Sequence, residues 1–148
     1  MSEVSLAKGR SNARRKAMQA LYQWSLSGND LNEIEVQFYD EQDMTKVDRD
    51  YFHTLLHEVP AQVDMLDQSL TPLMDMKKGN KLDPVEQAIL RLAAYEIRNR
   101  LDVPYRVVIN EAITLARTFG ADQSHKFING VLDKLAHEFR QAEITMKK

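Results

Sequence analysis

The sequence predicts an all-α fold of about seven helices in two packed helical groups, and three observations carry that expectation. Only five Gly and four Pro interrupt 148 residues, and β-branched residues are sparse. Apolar residues recur at i, i+3, i+4 and i+7 in several stretches, whereas no stretch of useful length alternates with period 2. Hydrophobic residues make up 43% and charged residues 28%, the balance of a soluble globular chain long enough to bury about two-thirds of its unfolded surface.

Residues 1–9 carry no helical pattern and are expected to be loosely held. A first helix should run from about Gly9 to Leu26 and end at the turn formers Ser27-Gly28-Asn29-Asp30. Within it Ala17, Ala20, Leu21 and Trp24 share one face, which predicts a core position for Trp24; Arg15, Gln19 and Tyr22 share the opposite face. A short helix follows over Leu31–Tyr39, then a polar link through Asp43. Val47-Asp48 opens a helix reaching about Glu58, and Pro60 begins another toward Leu70.

Thr71–Leu82, with Pro72, Gly79 and Asn80, is the expected boundary between an N-terminal subdomain (about 9–70) and a C-terminal one (about 83–140) of one domain. Asp83-Pro84-Val85-Glu86 reads as a helix start in which Asp83 caps, Pro84 sits where its missing N–H costs nothing, and Glu86 completes a capping box. That helix is apolar on two sides, through Leu101, and is read as central. Pro104 opens the next, which ends at Phe119-Gly120 with Gly120 in a left-handed conformation. The last runs from Asp122 or Ser124 to about Arg140 on a stripe of Ile128, Val131, Leu132, Leu135 and Phe139.

Cysteine is absent, which excludes a disulfide framework and thiolate metal sites and suits a reducing cytoplasm. No apolar run is long enough to span a bilayer, and Met1-Ser2-Glu3-Val4 lacks the core of a signal peptide, so a cytoplasmic location is expected. The net charge is −2, yet residues 1–29 carry Lys8, Arg10, Arg14, Arg15 and Lys16 against Glu3 alone, a balance of +4. Such asymmetry marks either a basic arm that meets a polyanion or a merely solvated terminus.

Catalytic signatures are missing: there is no Gly-rich phosphate loop, no GxSxG and no HExxH. His53 and His57 are spaced to meet one metal from a helix face, but the sequence offers no third ligand, so no metal or cofactor is assigned. The first helix is more informative. Tyr22 on the basic side suits base stacking, a protein contact, or half-burial against a neighbouring helix. Phe127 flanks the last helix's core stripe and reads as core, with a side route to solvent beside Gly130. Lys126 falls in a first helical turn, where a helix N-terminus attracts phosphate.

Three blocks resemble the NusB family in order and spacing over nearly the whole chain. They are Ala13-Arg14-Arg15-Lys16 into Gln19-Ala20-Leu21-Tyr22-Gln23-Trp24; Leu90-Arg91-Leu92-Ala93-Ala94-Tyr95-Glu96; and Asp102-Val103-Pro104-Tyr105 through Ile109-Asn110-Glu111-Ala112-Ile113 and Phe119-Gly120 to Ser124-His125-Lys126-Phe127-Ile128-Asn129-Gly130-Val131-Leu132-Asp133-Lys134. The resemblance implies two small helical bundles, no catalysis, and a part in RNA polymerase antitermination complexes on ribosomal RNA operons. It also implies binding of single-stranded boxA RNA together with NusE, a small-subunit ribosomal protein, and a family in which both monomers and homodimers occur. By position, Arg10, Arg14 and Arg15, with the adjoining Lys16, become RNA contacts, as do Lys126, Phe127 and Asn129. Tyr22 and Glu86 become NusE contacts, which selects the partner role for Tyr22.

Two departures stand out. The basic run is interrupted by Gly9, Ser11, Asn12 and Ala13, and Gln123 replaces an acidic residue that relatives can carry. The alternatives are a helical protein–protein adaptor with no direct RNA role and the RNA-binding domain of an RNA methyltransferase. The second needs a fused catalytic domain, for which 148 residues leave no room.

Overall fold

The computed structural model describes residues 5–75 and 82–146, and within these every regular element is helical. Eight α-helices run α1 (Leu6–Ser27), α2 (Leu31–Glu41), α3 (Arg49–Ala61), α4 (Val63–Leu70), α5 (Pro84–Asn99), α6 (Tyr105–Phe119), α7 (Ser124–Phe139) and α8 (Gln141–Met146), with a 3-10 turn at Thr71–Leu73. The chain divides into two compact units, residues 1–61 and 62–148. The division falls ahead of the expected link at 71–82 because α4 packs on α5 and so belongs to the second unit. Residues 76–81 of that expected link lie outside the described residues, as do residues 1–4 of the expected loose start.

In the first unit α1 packs on α3, with α2 against both. The helix starts three residues earlier than the apolar pattern suggested because Ser5 caps it: its hydroxyl accepts the Lys8 N–H at 3.1 Å. Gly28, at φ 68°, ends α1 in the left-handed conformation, its N–H closing on the Trp24 carbonyl at 2.8 Å. Trp24, expected in the core, is only half-buried, because the last turn of α1 (residues 25–27) is exposed throughout. The core is instead Met18, Leu21, Ile34, Phe38, Phe52, Leu55 and Leu56. Pro60 does not open a new helix. It occupies the last turn of α3, one residue before the helix ends, and Asp48 caps the other end through the Tyr51 N–H at 3.0 Å.

The second unit wraps α4, α6 and α7 around α5, which is buried from Ala88 to Ile97 except at the half-buried Arg91. Arg91 forks onto Asp67 of α4 through two hydrogen bonds, 2.9 and 2.8 Å. Two turns on, Arg98 donates to the Ser69 hydroxyl at 2.6 Å and lies 4.3 Å from the centre of the Phe139 ring. Leu101, expected on the apolar surface of α5, is 69% exposed, because α5 ends at Asn99 and Leu101 lies in the turn beyond.

Arg140 ends α5. Its guanidinium, withdrawn from solvent, donates to the carbonyls of Ile97 (2.8 Å), Glu96 (3.1 Å) and Arg100 (2.9 Å). These groups lie at the negative end of the helix, where a cation is stabilised and where buried carbonyls need donors. A further N–H meets Glu143 at 2.6 Å. Glu143 belongs to α8, a short helix that apolar periodicity does not announce. The other oxygen of Glu143 accepts the Tyr105 N–H at 2.9 Å, capping α6, whose preceding residue Pro104 makes no side-chain cap. One ionic pair thus finishes one helix and starts another.

Replacing Arg140 by Met should remove all four of these bonds and leave buried carbonyls unsatisfied. A loss of about 3 kcal/mol is expected, read as a lower urea midpoint at unchanged helical content in buffer.

Candidate nucleic-acid interface

The basic residues of α1 divide into two sets. Arg15 and Lys8 project into solvent, and Arg10 and Lys16 are half-buried. Arg14 is only 3% exposed. Its guanidinium lies 5.4 Å from the centre of the Tyr51 ring on α3, and that of Arg10 lies 4.6 Å from the same ring. Tyr51 is itself buried, so both arginines meet a desolvated aromatic face, where the cation–π attraction is strongest. The spacing carried a signal for this: Arg14, Ala17, Met18 and Leu21 stand at i, i+3, i+4 and i+7, and all four are buried. Arg14 therefore has a role in the fold, whatever else it meets.

The loop between α2 and α3 lies along the same helix. Asn12 donates to the Lys46 carbonyl at 2.9 Å, the Asp48 N–H reaches the Gly9 carbonyl at 3.1 Å, and the Lys16 ammonium meets Gln42 at 2.6 Å. This brings the exposed Lys46 alongside the basic stretch of α1. Sequence reasoning did not nominate it, since its position depends on a contact spanning 34 residues. Tyr22 is half-buried on α1, and its neighbour Gln23 bonds Gln37 of α2 at 2.9 Å.

In the second unit the other candidates gather where α7 starts. Lys126 and Asn129 are exposed and Phe127 is half-buried between them and the core stripe of Ile128, Val131, Leu132 and Leu135. Gly130 is exposed, with open space where a side chain would stand, so the face beside Phe127 stays uncovered. Lys126 stands in the first turn of α7, at the positive end of the helix dipole.

Glu86 sets the position of that end. The capping box expected at Asp83–Glu86 does not form: Asp83 makes no side-chain cap, and Glu86 instead accepts the hydroxyl of buried Ser124, the first residue of α7, at 2.8 Å. Pro84 does take the first helical position. The connection before α7 is tight. Gly120 is at φ −87°, not left-handed, and a Cβ there would fall 2.7 Å from the Ala116 carbonyl oxygen and 3.1 Å from Ser124 Cβ. Close approach requires this glycine, while the left-handed residue of the turn is Gln123, at φ 70°.

Helical fold, basic α1 and exposed start of α7 now meet an independent comparison. The NusB family model matches residues 11–137. This chain belongs to the NusB family. It is 53% identical to the transcription antitermination protein NusB of Alcanivorax borkumensis, covering 100% of this chain and 98% of that one. It is equally close, 53%, to the NusB of Teredinibacter turnerae over 93% of both chains. Among solved structures, NusB of T. maritima superposes with a TM-score of 0.76 at 30% identity, covering 87% of this chain and 91% of its own. NusB in a crystal structure of the antitermination factors NusB and NusE with double-stranded RNA shares the fold, with a TM-score of 0.72 at 22% identity.

Two outcomes follow. Arg14→Ala should destabilise the protein by about 2 kcal/mol through loss of its buried aromatic contact, whereas Arg15→Ala should stay within about 0.5 kcal/mol of the parent; urea unfolding of both separates the roles. Gly120→Ala should cost about 1–3 kcal/mol by overpacking, seen in the same measurement.

Proposed function

We propose that this chain is a non-enzymatic antitermination factor that binds boxA RNA of nascent ribosomal RNA transcripts together with NusE, in the cytoplasm and as part of an RNA polymerase complex. Membership of the NusB family over residues 11–137, with relatives named as transcription antitermination proteins over their whole length, is the observation that carries this reading. The NusB neighbour solved with NusE and double-stranded RNA supports the RNA and NusE roles.

Two clusters supply the chemistry. Arg15, Lys16 and Arg10 on α1, joined by Lys46, offer cations to phosphates, and Lys126 does so at the start of α7. Phe127, half-buried, offers an aromatic ring for stacking against an unpaired base, and Asn129 an amide for its polar edge. Arg14, in contact with Tyr51, acts by holding α1 against α3 and so orienting Arg10 and Arg15. Tyr22 and Glu86 face NusE in this reading, with Glu86 keeping its bond to Ser124.

The second reading is a protein–protein adaptor. It is favoured by one observation, that Arg10 and Arg14 both spend cationic surface on Tyr51. Fluorescence anisotropy with single-stranded boxA-like RNA and a scrambled control, with and without NusE across a salt series, separates the two. The RNA reading expects tighter binding of boxA than of the scrambled RNA when NusE is present. Arg15→Ala and Lys126→Ala should each weaken it by about fivefold or more and each lower the salt slope by about one. Equal affinity for both RNAs in the presence of NusE overturns the boxA assignment, and affinity unchanged by both substitutions in folded protein favours the adaptor.

A further inference from the structure

His53 and His57 lie one turn apart on α3, and the fold supplies what the sequence left missing. Glu35 of α2 reaches both: one carboxylate oxygen is 2.7 Å from Nε2 of His57, and the other is 2.9 Å from Nδ1 of His53. The two rings lie 4.2 Å apart, tilted by 36°. The three ligand atoms are all within 4.8 Å of one another. His53 is 58% exposed while Glu35 and His57 are largely covered, so the cluster has a wall on one side and water on the other.

We infer that Glu35, His53 and His57 form a binding site for one late first-row divalent cation, with Zn²⁺ as the representative ion. Two imidazoles and a carboxylate are a donor set that such ions take, and a spacing of four along a helix directs both rings to one point. Tetrahedral coordination with bonds of about 2.0–2.1 Å sets the ligand atoms about 3.3 Å apart. The N···O distances seen here need to open by only about half an ångström, which rotation of the exposed His53 ring can supply. The fourth position faces water. Imidazole donors disfavour Mg²⁺ and Ca²⁺, which prefer all-oxygen sites.

The Glu35 carboxyl is suited to the role. Each of its oxygens already lies within hydrogen-bond distance of one imidazole, and the side chain is largely covered from water. Glu35 and the histidines stand on different helices of one unit, so an ion held by all three straps α2 to α3. A ligand that binds only the folded arrangement stabilises it.

The experiment is calorimetric titration of ZnCl₂ into the untagged full chain, paired with thermal unfolding in EDTA and in excess Zn²⁺. The expected result is one saturable site per chain, a higher unfolding midpoint with Zn²⁺, and no comparable response to MgCl₂. His53→Gln, His57→Gln and Glu35→Gln should each weaken the site by about tenfold or more, while His125→Gln/His137→Gln leaves it intact. Circular dichroism in EDTA checks that the variants fold, and His53→Gln, altering the exposed ring, serves if the others do not. Absence of a saturable site, or Zn²⁺ binding that survives loss of both His53 and His57, overturns the proposal and leaves the cluster as an ion pair only.

Discussion

A helix that is buried along its length has to end somewhere, and its last carbonyls then need donors that water cannot supply. In the second unit that constraint falls on α5, and Arg140 meets it, donating to Ile97, Glu96 and Arg100 at once. A buried guanidinium is tolerable only when its donors are used and its charge is balanced, and Glu143 supplies the balance. Because Glu143 also caps α6, the end of α5, the start of α6 and the placement of α8 depend on one ionic pair. The same helix is held along its flank by the fork of Arg91 on Asp67 and by Arg98 on Ser69, so charged groups fix the register of an interface whose area is apolar.

The other end of α5 sets the position of the residues proposed to meet RNA on α7. Glu86 bonds the first residue of α7, so the helix that carries Lys126, Phe127 and Asn129 is positioned by α5 and not by its own cap. The tight turn at Gly120 and the left-handed Gln123 belong to the same device, because they deliver Ser124 into a buried position. The exposed surface of α7 proposed to meet RNA thereby rests on a buried contact with α5, and a binding site needs such support to keep its geometry.

In the first unit arginines serve two ends. Arg10 and Arg14 lie on Tyr51 and fasten α1 to α3, while Arg15 stands free of the core one residue further on. A basic helix of this kind loses part of its charge to the fold. What remains exposed is supplemented by Lys46 from a loop bonded to Asn12. The interruption of the basic run by Ala13 has a structural reason, since Ala13 is fully buried with Ala17 and Ala20.

By itself the sequence determined the helical class, the order of the main helices and the core stripe of α7 up to Leu135, its last expected member Phe139 being only half-buried near the helix end, because periodicity is a property of neighbours a few residues apart. Through its spacing it also identified the family. It placed Arg15 on the face opposite the core, which the structure keeps exposed, and the resemblance named Lys126 and Asn129, which are exposed as well. The tertiary structure alone decided the rest, and each case has the same cause. Glu86 bonds Ser124 across 38 residues in place of its own helix end, Arg140 reaches carbonyls more than 40 residues away, and Glu35 meets His53 and His57 from another helix. Trp24 has an apolar face with too little opposite it, and Gly120 is required by crowding from the Ala116 carbonyl and Ser124 and not by its own φ. A local pattern states which side of an element avoids water. Which polar group it then meets depends on what the chain brings back from far along its length.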